Sequence, residues 1–377
     1  MRGVATVALY AHRAAGSEPS GIGRYVAEVT AALGRLGRPD LVYQPVSSPD
    51  GLARRPRGRR GAGPPGPRKA LHASWCLLGR PRVDRWVGRP ELVHVLYPST
   101  PVPSSSPVVY TVHDLIPLRH PDWYRRDEVW AFRRAVEAAR NAAAVVAVSS
   151  AVAGELVGER GFDAGRVHVV HPGVAGEYFA PVGEADVAGA CARFGLQPGG
   201  YLVAVGALRT RKNLDVVLRA LPLLGDVRLA CVGPPAGAEG GLRRLVDELG
   251  LRRRVTFTGW LPAPDLPLLV KGAAAAVHPS IEEGFGMTPL EAMALGVPVV
   301  ARHQVTTSEV VGDAALVVDG DEPGRWAEAL RRVLEDGELR DGLIRAGAER
   351  SRRFTWEATA EGLADVHRLC LDAAANR

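Results

Sequence analysis

The sequence has few cysteines, no long apolar run and no recognisable export signal. The four cysteines form no Cys-x-x-Cys pair and have no histidine at metal-ligand spacing; they are Cys76, Cys191, Cys231 and Cys370. This wide spacing argues against a zinc site and against a disulfide framework, so we expect free thiols. No apolar run approaches the roughly 20 residues of a membrane-spanning helix, and no cleavage site follows Met1. We therefore expect a cytoplasmic protein.

Length and composition predict two domains of ordinary size. The chain has 377 residues, of which 46% are hydrophobic, and this is enough to bury a core in each of two domains. The net charge of +6 permits contact with nucleic acid or anionic lipid, but it does not by itself select a partner.

A basic segment rich in proline and glycine extends from Ala53 to Lys69. It has no apolar periodicity, so we expect a loop. One interpretation is a solvated insertion of low complexity, and the other is a peripheral contact of Arg54–Lys69 with anionic lipid on the inner face of the cell membrane. No amphipathic helix with Trp or Phe accompanies the segment, which favours the first interpretation. No aromatic side chains interleave with its cations, which argues against specific binding of nucleic acid.

Short β-branched runs alternate with helical segments along the chain, a pattern typical of parallel sheets covered by helices. In the first half the sequence predicts strands at 4–10, 92–97, 108–112, 143–148 and 167–170. In the second half it predicts strands at 201–206, 227–232, 255–258, 273–277, 297–301 and 315–318. Helices are expected at 24–36 and 129–141, from Ser149-Ser150 onward, and from Trp356 to about Ala374. The polar, glycine-containing stretch 182–200 is the expected boundary region.

The most informative stretch, 277–301, reads as strand, glycine-bracketed loop, short helix and strand. For the helix we predict Thr288 as N-cap and Pro289 at the first helical position. Gly284 and Gly286 let the backbone approach a ligand closely, and the helix start favours a phosphate or an electron-rich sugar oxygen. An anion-binding site is therefore expected, formed by Gly284, Phe285, Gly286, Met287 and Thr288.

Two carboxylates flank this loop, with seven residues between them. Glu283 precedes the loop and is read either as a functional acid or as a solvated loop residue, as Glu282 beside it is expected to be. Glu291 is read either as a functional acid or as the third helical residue of a capping box that bonds the Thr288 amide.

Three cations crowd the loop that follows the strand at 201–206: Arg209, Arg211 and Lys212. Because the helix dipole disfavours cations at a helix start, their presence indicates a bound anion, and Arg and Lys together suit a diphosphate. The alternative is a solvated loop at the start of a helix.

The first half offers two weaker candidates. Gly21-x-Gly23 lies in a loop between strand and helix and is either a tight turn or an approach to a phosphate. His113 and Asp114 follow the strand at 108–112, at the sheet edge where open α/β folds bind ligands. Their alternative roles are a satisfied histidine and a helix-capping aspartate.

A second acidic pair, Asp319 and Asp321, has the spacing of a motif that binds a metal-diphosphate, but beside Glu322-Pro323 it is interpreted as a turn. We therefore predict no metal site.

The stretch Pro-Ser-x-x-Glu-Gly-Phe-Gly-x-x-Pro-Leu-Glu-Ala-Met-Ala-x-Gly-x-Pro-Val-Val around Glu283 and Glu291 resembles the signature of the family four retaining, nucleotide-sugar-dependent glycosyltransferases. The resemblance extends to Arg211-Lys212-Asn213, although Arg209 has no counterpart in it. It also includes Gly-Ile-Gly-Arg-Tyr at 21–25 and the His113-Asp114 pair. At 171–175 the family's Asn-Gly-Val-Asp turn is altered by Pro172 and Ala175.

The resemblance implies a GT-B fold, in which two Rossmann-like parallel-sheet domains face a cleft. The implied domains are an acceptor-side domain at 1–180, a nucleotide-sugar domain at 181–355, and a C-terminal helix at 356–377 that packs back on the first domain. It also implies that Glu283 and His113 face the donor sugar and that Glu291 holds the ribose hydroxyls. Arg211 and Lys212 then bind the diphosphate, and Gly21 and Gly23 lie under the donor.

The implied activity is retaining, metal-independent hexosyl transfer to a hydroxyl of a glycan or a lipid-linked glycan. The donor is a GDP-sugar or a UDP-sugar, and no other cofactor is implied. The motif variants look most like mannosyl-transferring members that build surface polysaccharides or glycolipids, which gives mannose a slight lead. The alternative function is a nucleotide-sugar epimerase of the same architecture.

Overall fold

The computed structural model describes residues 4–11, 21–47, 68–262 and 264–376. The chain divides into two units, one formed by Met1–Gly173 with Trp356–Arg377 and the other by Val174–Thr355. Each unit is built on one six-stranded sheet in which every strand pair described is parallel. The predicted α/β class with two doubly wound parallel sheets is therefore confirmed.

The sheet of the first unit has the order β2-β1-β3-β4-β5-β6. Its strands are β1 Ala5–Ala11, β2 Leu41–Ser47, β3 Leu92–Tyr97, β4 Val108–Val112, β5 Ala144–Ala147 and β6 Val167–Val169. Its helices are α1 Gly21–Leu36, α2 Arg68–Leu78, α3 Asp84–Val87, α4 Ile116–Arg119, α5 Arg126–Arg140, α6 Ser150–Gly158 and the last helix of the chain, α15 Trp356–Ala375.

The sheet of the second unit has the order β12-β11-β10-β7-β8-β9. Its strands are β7 Tyr201–Val205, β8 Arg228–Val232, β9 Val255–Gly259, β10 Ala275–His278, β11 Val299–Arg302 and β12 Leu316–Val318. Its helices are α7 Glu184–Ala192, α8 Leu214–Ala220, α9 Glu239–Glu248, α10 Asp265–Lys271, α11 Met287–Ala294, α12 Val305–Val311, α13 Pro323–Glu335 and α14 Gly337–Ser351.

The strands that the sequence predicts are all present, but β2 escaped prediction. It contains Pro45, which cannot donate to a sheet ladder, and proline in a strand run argues for an edge position or against a strand. In the structure β2 lies at the edge of its sheet and pairs only with β1, which is the position where a strand tolerates proline.

Two helix boundaries correct the sequence analysis. Helix α1 begins at Gly21, so Gly21 and Gly23 lie in its first turn and not in a loop before it. The stretch 182–200, expected as the boundary region, contains helix α7, whose Val187 and Cys191 are buried. Glycine is a poor helix former at 21 and 23, and in α7 alanine and glycine replace larger apolar residues and weaken the apolar periodicity.

The last helix packs within the first unit. Trp356, its first residue, meets the ring of Tyr25 from α1 edge on, with centroids 5.7 Å apart. Thr359 donates to the carbonyl of His171 at 2.7 Å, and Arg368 forms an ion pair with Asp40 at 2.6 Å. Across the described ranges, no helix has the length and apolarity needed to cross a membrane.

The carboxyl ends of β7 and β8 are packed backbone against backbone. A Cβ atom on Gly233, which follows β8, would lie 2.1 Å from the carbonyl oxygen of Gly206, which follows β7. Gly233 also has a φ of +149°, a conformation that side-chain-bearing residues rarely adopt. Only glycine therefore lets the loop after β7 lie where it does.

We expect Gly233→Ala to lower the free energy of unfolding of the second unit by about 2–4 kcal/mol, since the clash is with backbone and cannot be relieved by a rotamer change. The measurement is urea unfolding followed by circular dichroism. Gly237→Ala is the control, because Gly237 has a φ of +93° but a Cβ atom placed on it would meet no atom within 4 Å. Equal losses in the two variants would contradict the packing argument and leave backbone strain as the only cause.

Candidate functional site

The topology of the second sheet selects one edge as the place for a ligand. Strand β7 lies between β10 and β8, and the chain leaves β7 toward β8 before it returns on the other side as β10. The loops after β7 and β10 therefore diverge at the carboxyl edge, the position where open parallel sheets bind ligands. A small pocket lies there, and its lining includes Gly206, Lys212, His278 and Ser280.

The loop after β7 presents two of its three cations to this edge. A short 3-10 turn, Thr210–Lys212, leads into α8, and Asn213 takes a left-handed conformation between them. The side chain of Lys212 crosses over Gly206, where a Cβ atom would lie only 3.0 Å from the lysine Cε. Arg209 is exposed and stands apart from this arrangement.

The carboxylate of Glu283 holds Arg211 and Lys212 side by side. Its Oε2 lies 2.8 Å from Arg211 Nη1, and its Oε1 lies 2.6 Å from Lys212 Nζ. The three side chains are between 10% and 21% exposed, so this is a nearly buried cluster. Arg211 also donates to the carbonyl of Glu282 at 2.9 Å. The interpretation of Glu283 as a solvated loop acid is therefore wrong, and the ion pairs themselves were not foreseen.

The cluster perturbs the titration of both partners. Burial by itself raises the pKa of Glu283, but Arg211 and Lys212 outweigh it and hold that pKa well below the usual range. Burial lowers the pKa of Lys212, and Glu283 and the more distant Glu291 oppose that shift. Glu283 is therefore ionised throughout the physiological range.

His278, which the sequence analysis did not select, lies under the cluster. It is the last residue of β10 and is 5% exposed. Its Nδ1 lies 3.3 Å from Thr288 Oγ1, and its Nε2, which has no hydrogen-bond partner among the described residues, lies 3.7 Å from Glu283 Oε1. Burial and the positive charge of Lys212 lower the pKa of His278 to about 3, so the ring is neutral at pH 7. The sequence feature that could have identified His278 is its position at the carboxyl end of a central strand.

The glycine loop and α11 depart from the predicted capping. The N-cap is Gly286, with a φ of 98°, and the helix begins at Met287. Thr288 and Pro289 consequently lie inside the first turn, and the Thr288 hydroxyl bonds His278 instead of capping the helix. Since α11 has no side-chain cap, the capping-box interpretation of Glu291 is wrong, and Glu291 is a buried acid at 6% exposure. The glycine permits a turn too tight for a threonine cap.

The loop is anchored by one aromatic contact. Phe285 is 5% exposed, and its ring meets Phe354 edge on with centroids 5.7 Å apart. This contact holds the residue between Gly284 and Gly286 in place at the start of α11.

Of the two aspartates after β12, Asp321 contacts the loop after β7 and Asp319 contacts the loop after β11. Asp321 accepts from Asn213 at 2.7 Å and pairs with Arg302, while Asp319 lies 2.7 Å from His303 Nδ1. Gly320 between them has a φ of +76°, in keeping with the predicted turn. Within the ranges that the structure describes, no group of three or more His, Cys, Asp or Glu residues could hold a metal ion.

The remaining predicted residues belong to the first unit. His113 Nε2 donates to the carbonyl of Leu96 at 2.8 Å, and the ring packs edge on against Tyr25 with centroids 4.6 Å apart. Burial lowers the pKa of His113 to about 4, so this ring is also neutral. Asp114 accepts from the Ile116 amide at 3.0 Å, but it precedes the N-cap of α4, which is Leu115, so it is not the capping residue that its alternative interpretation expects.

Gly21 and Gly23 stand in the first turn of α1, as described above. Most of the basic segment, residues 53–67, lies outside the described residues, as do the side chains of Arg68 and Lys69.

Two family models match the two units in turn. The model described as Glycosyltransferase Family 4 matches residues 19–177, and the model described as Glycosyl transferases group 1 matches residues 197–350. Among curated proteins, the D-inositol 3-phosphate glycosyltransferase of Acidothermus cellulolyticus is 34% identical over 289 residues, which cover 72% of this chain and 63% of the relative. The D-inositol 3-phosphate glycosyltransferase of Mycobacterium bovis is 36% identical over 226 residues, covering 58% of this chain and 46% of the relative. The chain thus spans less than two thirds of each relative.

Solved structures agree on the fold. The HepE protein of Anabaena, in complex with UDP and glucose, superposes with a TM-score of 0.74 at 19% identity, covering 97% of this chain and 99% of that one. The sucrose-phosphate synthase of Thermosynechococcus elongatus superposes with a TM-score of 0.73 at 21% identity, covering 98% of this chain and all of that one. At these identities the likeness supports the GT-B fold alone.

The depressed pKa of Glu283 makes the stability of the second unit depend on pH. A carboxyl whose pKa is lower in the folded state stabilises the fold above its ordinary pKa, and this contribution is lost as the pH falls through the folded value. We expect Glu283→Gln to destabilise the unit by about 3 kcal/mol at pH 7, because it leaves two cations without their buried partner. The deficit should shrink once the pH falls below about 4.5.

Thermal unfolding of the wild type and the variant, measured from neutral pH down to about pH 3, tests this. Glu239→Gln is the control, because Glu239 pairs with Arg243 at an exposed site where ion pairs contribute little. A Glu283→Gln deficit that stays constant across the acid range would show that ionisation of Glu283 is not its source.

Proposed function

Because the chain belongs to the group 1 and family 4 glycosyltransferases of the GT-B fold, we propose that it transfers a hexose from a nucleotide-diphosphate sugar to a hydroxyl group. The observation that carries this proposal is the Arg211-Lys212-Glu283 cluster at the carboxyl edge of the second sheet. It combines two phosphate-binding cations with an ionised carboxylate that can accept hydrogen bonds from sugar hydroxyls.

The chemical step is the departure of a nucleoside diphosphate. The bond between the anomeric carbon and the phosphate oxygen breaks, and the oxygen keeps the electron pair. Arg211, Lys212 and the first-turn amides of α11 stabilise the negative charge that develops there. Positive charge that is in place before the reaction stabilises the transition state effectively, because it does not have to reorganise. Because these groups supply the charge, the proposed reaction requires no metal ion.

We propose retention of configuration at the anomeric carbon. The acceptor oxygen bonds to that carbon from the face that the diphosphate leaves, and the acceptor proton passes to a departing phosphate oxygen. Atoms and charge then balance without a covalent enzyme intermediate. This route needs no protein nucleophile, so Glu283 is assigned a hydrogen-bonding part and not a covalent one.

The two acids that flank the glycine loop are assigned different parts. Glu283, beside the diphosphate-binding cations, orients the hydroxyls of the donor sugar, and Glu291, buried on α11, holds the ribose. In the first unit, His113 is proposed to face the donor sugar, with Gly21 and Gly23 under the donor. His113 donates through Nε2 to Leu96, so Nδ1 is the nitrogen that can accept a hydrogen bond from a hydroxyl.

Donor and acceptor are proposed by class. The motif variants give mannose, and hence GDP-mannose, a slight lead. UDP-sugars belong in the same test, because the Anabaena neighbour was also solved in complex with UDP-glucose. A glycan or lipid-linked glycan is the proposed acceptor. The names of the curated relatives add a phosphorylated inositol as a second acceptor candidate. The epimerase alternative is not favoured, since the relatives are named as transferases.

We expect Lys212→Ala and Glu291→Ala each to lower the rate of sugar transfer at least tenfold, because the first removes charge at the leaving oxygen and the second removes a ribose contact. A thermal-shift panel of GDP, UDP and their sugars identifies the ligand first, and transfer to candidate acceptors is then measured with the donor that binds. Arg331→Ala is the control, since Arg331 pairs with Glu328 on the exposed face of α13.

Activity within twofold of the wild type in both Lys212→Ala and Glu291→Ala would contradict the assignment of these residues to the site. Donor incubated alone must return unchanged sugar or hydrolysed sugar, and the appearance of an epimerised sugar would favour the epimerase. Addition of a chelator should leave the transfer rate within twofold.

We further propose a peripheral contact of Arg54–Lys69 with anionic membrane, which fits a lipid-linked acceptor. Exposed cations near such a surface each contribute on the order of 1 kcal/mol, and salt screens the attraction. We expect the full chain to sediment with vesicles that contain phosphatidylserine at low salt and to be released at high salt. Replacing the five arginines between 54 and 60 by serine should abolish sedimentation. Binding to purely zwitterionic vesicles would contradict an electrostatic contact.

A further inference from the structure

From the position of His278 under the cluster, we infer that this residue takes over as hydrogen-bond donor to Glu283 when Arg211 and Lys212 turn toward a bound diphosphate. His278 is thus a positioning residue that acts through Glu283. The inference rests on the proposed function, because it requires an anion that competes with Glu283 for the two cations.

The competition follows from the geometry of the cluster. Glu283 uses Oε2 for Arg211 at 2.8 Å and Oε1 for Lys212 at 2.6 Å. A diphosphate offers both cations several charged oxygens, and each charge-assisted bond that they form with it is directed away from Glu283. The carboxylate is only 10% exposed, so water cannot easily replace the donors that it loses. A buried carboxylate without donors opposes the binding that displaced them.

His278 Nε2 is a group in position to compensate. It lies 3.7 Å from Glu283 Oε1, and a movement of about 0.8 Å gives an ordinary hydrogen bond. The ring is buried and stands at the end of β10, whose register with β11 pairs His278 with Ala301. The donor is therefore fixed on a strand, and the movement is required of Glu283 on its loop.

The surroundings of the His278 ring favour the tautomer that carries its proton on Nε2. The neutral ring carries one N–H, and Thr288 Oγ1 lies 3.3 Å from Nδ1. If the threonine hydroxyl donates to Nδ1, the proton resides on Nε2 and faces the carboxylate. The opposite tautomer would direct the Nε2 lone pair at an anionic oxygen, which is unfavourable. Nε2 has no hydrogen-bond partner in the structure as it stands, so this N–H is available for the exchange.

The test is a double-mutant cycle read out by binding of UDP and GDP in calorimetry. We expect His278→Leu to weaken binding of the nucleotide that the wild type prefers about tenfold. His278→Gln, whose amide nitrogen reaches the position of Nε2, should stay within threefold of the wild type. In a Glu283→Gln background, where no buried carboxylate needs a donor, His278→Leu should change affinity less than twofold.

Thr288→Val provides a second variant that leaves the ring in place. It removes the hydroxyl that fixes the tautomer, so the nucleotide affinity should fall as it does in His278→Leu, but by a smaller factor. This loss should also vanish in the Glu283→Gln background. Thermal unfolding of each variant separates loss of the fold from loss of the interaction.

Three results would overturn the inference alone: a wild-type affinity in His278→Leu, an equal loss in His278→Gln, or an undiminished loss in the Glu283→Gln background. Wild-type protein that binds neither nucleotide would instead overturn the transferase proposal, and the inference with it.

Discussion

The second unit depends on a buried carboxylate that holds two neighbouring cations in place. Arg211 and Lys212 are adjacent in sequence and repel each other, and Lys212 is only 12% exposed, so without Glu283 they could not both remain at the sheet edge. The ion pairs join the loop after β7 to the loop after β10 across the point where the sheet topology diverges. One interaction therefore sets both the local fold and the charge that a ligand meets.

The surrounding backbone restricts the positions that Arg211, Lys212 and Glu283 can take. Gly206 leaves room for the lysine stem, Gly233 lets the next strand end against Gly206, and Asp321 holds Asn213 at 2.7 Å where the chain takes a left-handed turn. These contacts restrict the cations to few positions before any ligand arrives. A site that is ordered in advance loses less conformational entropy on binding, and its charges need little rearrangement during reaction.

Sequence reasoning was strongest where a local pattern decides the structure. Buried β-branched runs identified eleven strands, and only β2 was missed among the strands described, because Pro45 argues against a strand unless the strand is known to be an edge. Charge selected Arg209, Arg211 and Lys212, and the family resemblance narrowed these to Arg211 and Lys212 and assigned the parts of Glu283 and Glu291. Helix starts were less predictable: Thr288 is a good N-cap in isolation, but Gly286 takes that position because the loop must turn at a φ of 98°. The capping residue is thus chosen by tertiary geometry.

The partners of charged residues were the least accessible to sequence. Nothing in a linear pattern pairs Lys212 with a residue 71 positions later, nor indicates that His278 lies between Glu283 and Thr288. Both facts follow from the parallel order in which β7 and β10 become neighbours, since that order brings the residues after each strand to one edge. If Arg211 and Lys212 bind phosphate as proposed, Glu283 cannot be only a ligand for sugar, because the two cations need a counter-ion when no phosphate is present. Its second role as an internal counter-ion explains why a neutral, fixed donor such as His278 belongs beneath it.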